Sequence, residues 1–553
     1  MRLIQATEFG IRPQEDITEA LAKLCAYLSV TAGKKTVCFE PGTYHIDSSK
    51  CQKRMLCITN TAGDNEYAKE ETPHLQPVPF FFSGVSDVTF DGNQSIFIID
   101  GKATSVAMED CRNITLKNME LRYVHPDMHE LRVLSKHLFS ADFAIDADSG
   151  YRVEHGMLCF YGKDYRLPCT RKLLHAGWIA CIRKDTPEQV TRLGHKKTAP
   201  LPLSFLKVKE LGSRTIRAYL GNTSYLKTGD RYCVYDVRRQ FAGIFVNRCK
   251  NVILQDIKQR FNYSLALVCQ DSKDITVNHI TFAPEAGSPR ALASVADFMQ
   301  FCMCRGDVVI RNSFFSGAGD DCLNVHGIHF QIVRKKKKEL TVRFMHPQTH
   351  GFNPLRVGDR IAYINPKTLL EQGTAQIEHS ELLNETDIRL VVSSTAGAAV
   401  GTAIEDISAC PNLTFRNNQV TRIITRGLLL TTRGKVLVED NQFVSTSLSG
   451  ILLSDDAKSW YESGRCQDVT IRNNVFEHCG DTPILIQPEN KTYAGPVHEN
   501  IQIMGNTFQT YPSVCIRAKD TDRLLIKDNV FLSDGENGRQ VETRNCNKSR
   551  LLN

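Results

Sequence analysis

The sequence predicts an all-β protein: a right-handed parallel β-helix with an N-terminal capping helix and two inserted small antiparallel β-barrel-like domains. Three observations predict it. A strand motif recurs at a near-constant step, a second apolar segment lies between its copies, and two long stretches lack it. The motif is two apolar residues two apart, then Asn or Asp, then Phe three later. It stands at Val308, Ile310, Asn312, Phe315, at Val436, Val438, Asp440, Phe443, at Val469, Ile471, Asn473, Phe476, and at Leu524, Ile526, Asp528, Phe531. Looser copies begin at Ile114, Val252, Ile275, Leu413 and Ile501. The starts step by 23 residues (252 to 275, 413 to 436, 501 to 524) or by 32 to 33 (275 to 308, 436 to 469, 469 to 501). A fixed base step, lengthened where a loop is inserted, is the signature of a solenoid.

Residues 1–144 read as the N-terminal cap and first coils. Asp16 to Leu28 has helical apolar spacing and is followed by a strand from Val37 to Ile46. A helix here covers the open end of the solenoid, where strand edges and core would otherwise meet water. Residues 241–329 and 405–553 carry the remaining coils. Apolar and polar residues alternate inside each motif copy, as on a strand with one buried face. The second segments, such as Gly243–Asn247, Ser264–Val268 and Gly427–Leu430, supply further strands per coil, separated by turns rich in Gly, Asn and Asp. The Asn or Asp at the third motif position is read as a corner residue, with Asn also able to stack in ladders. Residues 145–240 and 330–404 lack the motif and end in similar phrases, Leu226–Tyr235 and Leu355–Ile364, which marks two insertions of one kind. Short alternating strands with Gly-Asp turns predict small antiparallel barrels. The basic run Arg334 to Lys338 lies in the second and is read as a solvated hairpin tip, since no aromatics interleave it.

With 68 basic and 61 acidic residues the net charge is +7, too mild to indicate nucleic acid or membrane. No apolar run approaches a membrane span. The first residues, Met1 to Gln5 followed by Glu8, do not form a signal peptide. Nineteen cysteines, an odd number spread through strand positions such as Cys249, Cys269, Cys302, Cys322 and Cys515, favour buried reduced thiols over a disulfide framework. Both points predict a cytoplasmic protein, with export the alternative if a leader has been removed. Cys302 and Cys304 form a lone Cys-x-Cys without a second pair at zinc-binding spacing, so no metal and no cofactor are expected.

The chemistry concentrates between residues 297 and 327. Asp297 lies 23 and 24 residues before Asp320 and Asp321, which is one coil, so the three carboxylates are expected within about one inter-strand spacing, roughly 4.8 Å. They cannot all be ionised comfortably, and one should hold a proton near neutrality. A proton-holding acid beside an ionised base is what glycosidic cleavage needs. Gly317 to Asp321 alone would read as a turn, but His326 follows, and neighbouring coils offer Arg426, Arg433, Asp455, Asp456, Trp460, Glu462 and Glu489. Trp460, one of two tryptophans, stands in a loop-like segment and suits the C–H face of a sugar, although a core position is the competing reading.

Five segments in this order, Asp297 to Phe301, Asp320 to Gly327, Arg426 to Arg433, Asp456 to Gly464 and Gln487 to Asn490, resemble glycoside hydrolase family 110, the α-1,3-galactosidases that remove terminal galactose from blood-group-B-type glycans. The resemblance implies an exo-acting, inverting enzyme on a galactose-terminated glycan or oligosaccharide, with no nucleic-acid or membrane partner and a homodimer allowed. It makes Asp320 the general acid, with Asp297 and Asp321 positioning and deprotonating water; the residues alone do not rank the three. It also assigns the sugar to Asn324, His326, Arg426, Arg433, Asp456, Trp460, Glu462 and Glu489. Competing readings are a polygalacturonase-like hydrolase of an anionic polysaccharide and a non-catalytic glycan-binding β-helix.

Overall fold

The computed structural model describes residues 2–61, 74–170, 180–184, 186–192, 205–236, 238–288, 290–480, 482–509, 514–532 and 540–552. The chain winds as a parallel β-helix whose strands fall into three stacks. One stack holds the first half of each motif copy, for example Arg305–Arg311, Asn412–Arg416, Lys435–Glu439 and Asp468–Arg472. A second holds the short strands around the motif Phe, such as Phe314–Ser316 and Gln442–Thr446. The third holds the apolar segments between copies, among them Ala242–Asn247, Leu265–Gln270, Met299–Cys302, Leu323–Ile328 and Leu428–Thr431.

Register follows the motif. Ile275 pairs with Val308, Val308 with Leu413, Leu413 with Val436, and the pairing continues through Val469 and Ile501 to Leu524. Alternation decides which side chains enter the core: Val308 and Ile310 are buried while Arg311 is exposed. The motif Asn or Asp does turn the corner. Asn312, Asp440, Asn473 and Asp528 all have φ between 54° and 57°, a left-handed conformation that Asn and Asp tolerate best among non-glycine residues. One residue further on, Asn418, Asn441, Asn474, Asn506 and Asn529 form a buried ladder, each Nδ2 donating to the Oδ1 of the next at 2.9–3.2 Å. The motif Phe side chains stack inside, with Phe443, Phe476, Phe508 and Phe531 at centroid spacings of 5.0–5.2 Å. The helix Thr18–Val30 caps the N-terminal end, and Leu21, Leu24, Cys25 and Leu28 join the solenoid core.

The two insertions enter at corners and leave the register intact, since Ile114 pairs with Val252 just as Val308 pairs with Leu413. The first begins earlier than the lapse of the motif indicates. Met128–Lys136 pairs antiparallel with Arg231–Tyr235, so the insertion opens at Met128 and not near residue 145. Its alternation is that of any half-buried strand, which periodicity cannot distinguish from a coil. Seven antiparallel strands and a three-stranded sheet, Gly150–Glu154, Met157–Tyr161 and Arg166–Pro168, enclose one core around Leu131, Phe143, Phe160 and Ile216. The second insertion is a closed six-stranded barrel of Phe330–Lys336, Glu339–Arg343, Arg360–Ile364, Glu371–Leu382, Asp387–Val392 and Ala403–Asp406. Lys335 to Lys338 are exposed at its first hairpin, with Lys337 at φ 54°. The first insertion joins the third stack at its entry edge and the barrel leaves it at its exit edge.

Candidate active site

The carboxylate cluster is a product of register. Phe298 N donates to Asp321 O and Met299 N to Cys322 O, both at 3.0 Å, and Met299 lies opposite Leu323. Asp297 therefore sits over Asp321, one rung away, with Asp320 one residue earlier. The close approach needs Gly319, because a Cβ there would meet Val295 O at 2.3 Å and Ser294 O at 2.5 Å. On the following rung Cys322 N donates to Arg426 O at 3.1 Å, which brings Arg426 beside Asp321. Asp321 Oδ1 accepts from Thr425 Oγ1 at 2.6 Å and from Arg426 Nε and N at 2.9 and 3.1 Å.

Asp320 pairs with Arg239, a residue absent from the sequence-based candidates. Arg239 is buried at the exit of the first insertion, and its Nη1 donates to Asn60 Oδ1 at 3.1 Å. Burial, and then the neighbouring charge of Asp320, hold the Asp297 carboxyl well above the usual carboxylate range. Burial also raises Asp321, against the opposing pull of Arg426. Burial thus favours a proton on Asp297 most strongly, while Asp321, also raised, accepts hydrogen bonds that favour its carboxylate form.

Beside this cluster lies a narrow pocket lined by side chains that include Gln300, His326, His346, Trp460 and Glu462. The three Asp residues are not part of its wall. Arg239 spans the gap, with its guanidinium on Asp320 and 6.0 Å from the Trp460 ring centroid. The strand Leu323–Ile328 supplies Asn324 and His326, and Glu462 arrives opposite Ile328 on a short antiparallel strand. Asn324 Nδ2 donates to Glu462 Oε1 at 2.9 Å, and His326 Nε2 lies 3.9 Å from the same oxygen. Trp460 is 44% exposed and stacks on His346 of the barrel, with ring centroids 4.4 Å apart. Burial and the nearby Arg239 lower the His346 pKa to about 4, so this ring is neutral.

Asp297, Asp320, Asp321, Asn324, His326, Arg426, Trp460 and Glu462 therefore converge. Three other predicted sugar ligands do not. Arg433 forks onto the buried Glu405 at 2.9 and 2.6 Å and reaches Glu371 at 3.2 Å, tying the barrel to the coil. Asp456 clamps its own loop, accepting from Lys458 N, Ser459 N and Trp460 N at 2.9, 3.1 and 2.7 Å. Glu489, which is not among the lining residues, pairs with Lys458 at 2.9 Å. Asp455, also singled out, forms a fully buried 2.7 Å pair with His329. Among the described residues, no group of three or more His, Cys, Asp or Glu side chains could hold a metal ion.

Comparison with known proteins matches residues 339–403 to the family described as GLAA-B beta-barrel domain II, and residues 383–531 to the right handed beta helix region. An alpha-1,3-galactosidase A from Bacteroides thetaiotaomicron is 33% identical over 527 residues, covering 93% of this chain and 89% of that protein. An alpha-1,3-galactosidase B from the same organism is 27% identical, covering 96% of this chain and 86% of its own length. A solved family 28 exopolygalacturonase from Yersinia enterocolitica superposes with TM-score 0.42 at 9% identity, covering 100% of this chain and 78% of that one. That last likeness is too distant to bear on activity.

Proposed function

The chain belongs to the family of these α-1,3-galactosidases, and on that premise we propose that it is an exo-acting glycoside hydrolase releasing terminal α-1,3-linked galactose by a single, inverting displacement. The observation that carries the reading is the three-carboxylate cluster on two consecutive rungs, in which burial raises Asp297 well above the usual carboxylate range and Asp321 accepts hydrogen bonds from Arg426 and Thr425 that oppose its own upward shift. Such a cluster contains both an acid and a base. In this reading the proton favoured on Asp297 passes to Asp320, the most accessible of the three, which gives it to the departing glycosidic oxygen, while Asp321 and the vacated Asp297 carboxylate orient a water and take up its proton. The charge on the trio is the same before and after the step.

The pocket's chemistry supports a neutral substrate. Its lining contains no Lys or Arg, its His346 is uncharged, and the adjacent Arg239 and Arg426 are both paired to carboxylates. Among the described residues of that lining a uronate would meet no Lys or Arg. Galactose release from an α-1,3-galactosyl oligosaccharide tests the proposal. Turnover by the wild type, its loss in Asp297→Asn with sugar binding retained, and inertness toward polygalacturonate are expected. Binding without turnover by the wild type would leave only a glycan-binding module. We also place the protein in a reducing compartment, because all 19 cysteines stand as free thiols. Thiol titration of the natively isolated, denatured protein checks this, and a shortfall from 19 would contradict it.

A further inference from the structure

Gln300 stands out on the pocket wall. It is 1% exposed, and among the described residues neither its Nε2 nor its Oε1 has a hydrogen-bond partner. Its column on the outer face of the third stack is otherwise apolar at two neighbouring rungs: Val268 precedes it, Asn324 follows, and Leu429 comes next. Two rungs thus turn polar exactly where the pocket lies. Asn324 Oδ1 and His326 Nε2 are also buried without a partner. Clustered orphaned donors and acceptors cost stability and are uncommon in folded proteins, so a group of them facing a pocket calls for a polar occupant.

We propose that Gln300 is a substrate-binding residue whose amide engages two neighbouring hydroxyl groups of the terminal sugar, donating to one through Nε2 and accepting from the other through Oε1. The reading rests on the galactosidase assignment and deepens it. An amide offers donor and acceptor side by side, which matches a vicinal diol, and it brings no charge to a pocket whose described lining contains no Lys or Arg. Asn324 Oδ1 completes the same floor, since its Nδ2 is already committed to Glu462. A structural Gln would satisfy its amide inside the protein, and this one does not.

The test replaces Gln300 by Met, which keeps the length and removes both polar atoms, with Gln300→Leu as a second variant. Thermal unfolding and galactose binding are measured on each, and competition by the 2-, 3-, 4- and 6-deoxygalactoses is compared with the wild type. The expected result is an unchanged or higher Tm, galactose binding at least tenfold weaker, and disappearance of the penalty for removing two adjacent hydroxyls. Loss of that penalty is the coupling that a direct contact produces. A lower Tm in both variants, or an unaltered pattern of deoxy penalties, would overturn the proposal. Failure of the wild type itself to bind galactose would instead refute the galactosidase reading on which it rests.

Discussion

Replacing Asp320 by Asn should separate proton donation from everything else the site does. Asp297 and Asp321 face each other across one rung, roughly 4.8 Å. At an effective dielectric near 20 two like charges at that distance repel by about 3.5 kcal/mol. Burial is the larger cause at Asp297, followed by the charge of Asp320, so the cluster keeps a proton well above the ordinary carboxylate range. The Asn side chain preserves shape but cannot deliver that proton. For an α-1,3-galactosyl disaccharide, whose leaving oxygen needs protonation, kcat should fall by about 10²–10⁴, or roughly 3–5 kcal/mol. An aryl α-galactoside with an acidic phenol as leaving group should lose less than about tenfold, because its departure needs no proton. Steady-state kinetics on the two substrates decides the matter. Equal losses on both would refute Asp320 as the acid, and the same selectivity in Asp297→Asn in place of Asp320→Asn would move the role there.

Three further perturbations bear on the same architecture. Asp297 is protonated in the folded state at a pH where the unfolded chain has already released the proton, so it withdraws stability as pH rises from about 4 through its folded pKa. Asp297→Asn should therefore abolish turnover yet raise Tm at pH 7–8 and flatten its pH dependence; a lower Tm there would contradict the burial of a protonated acid. Arg433→Met should lower stability by about 3–5 kcal/mol, because it leaves Glu405 buried and unpaired, while KM stays within twofold; a selective rise in KM would return Arg433 to the sugar. Asn441→Ala, in the middle of the Asn ladder, removes amide bonds to Phe415 O and Asn474 and should cost about 1–3 kcal/mol in urea unfolding with kcat/KM unchanged.

How much of this was legible follows from how a solenoid stores information. Within the coils, sequence distance converts to rungs, so the step from Asp297 to Asp321 placed both carboxylates on one column, and the pairing of Met299 with Leu323 shows why. Arg239, Asn60 and His346 were not readable, because they enter from an insertion, its junction or an N-terminal loop whose register no period encodes. Arg433, Asp456 and Glu489 lie on or near the right coils, but direction was hidden. Glu405 draws Arg433 toward the barrel, backbone amides occupy Asp456, and Lys458 takes Glu489. Gln300 did leave a signal, a polar residue in an outward column between Val268 and Leu429, which becomes visible only once the coils are aligned.

The central claim, inversion by a separated acid and base, is tested most directly by proton NMR of an α-1,3-galactosyl oligosaccharide from the moment the enzyme is added. β-Galactose should appear first and only later equilibrate with the α anomer. α-Galactose appearing first would demonstrate retention, require a nucleophile among the three carboxylates, and contradict the assignment of Asp297 and Asp321 to water.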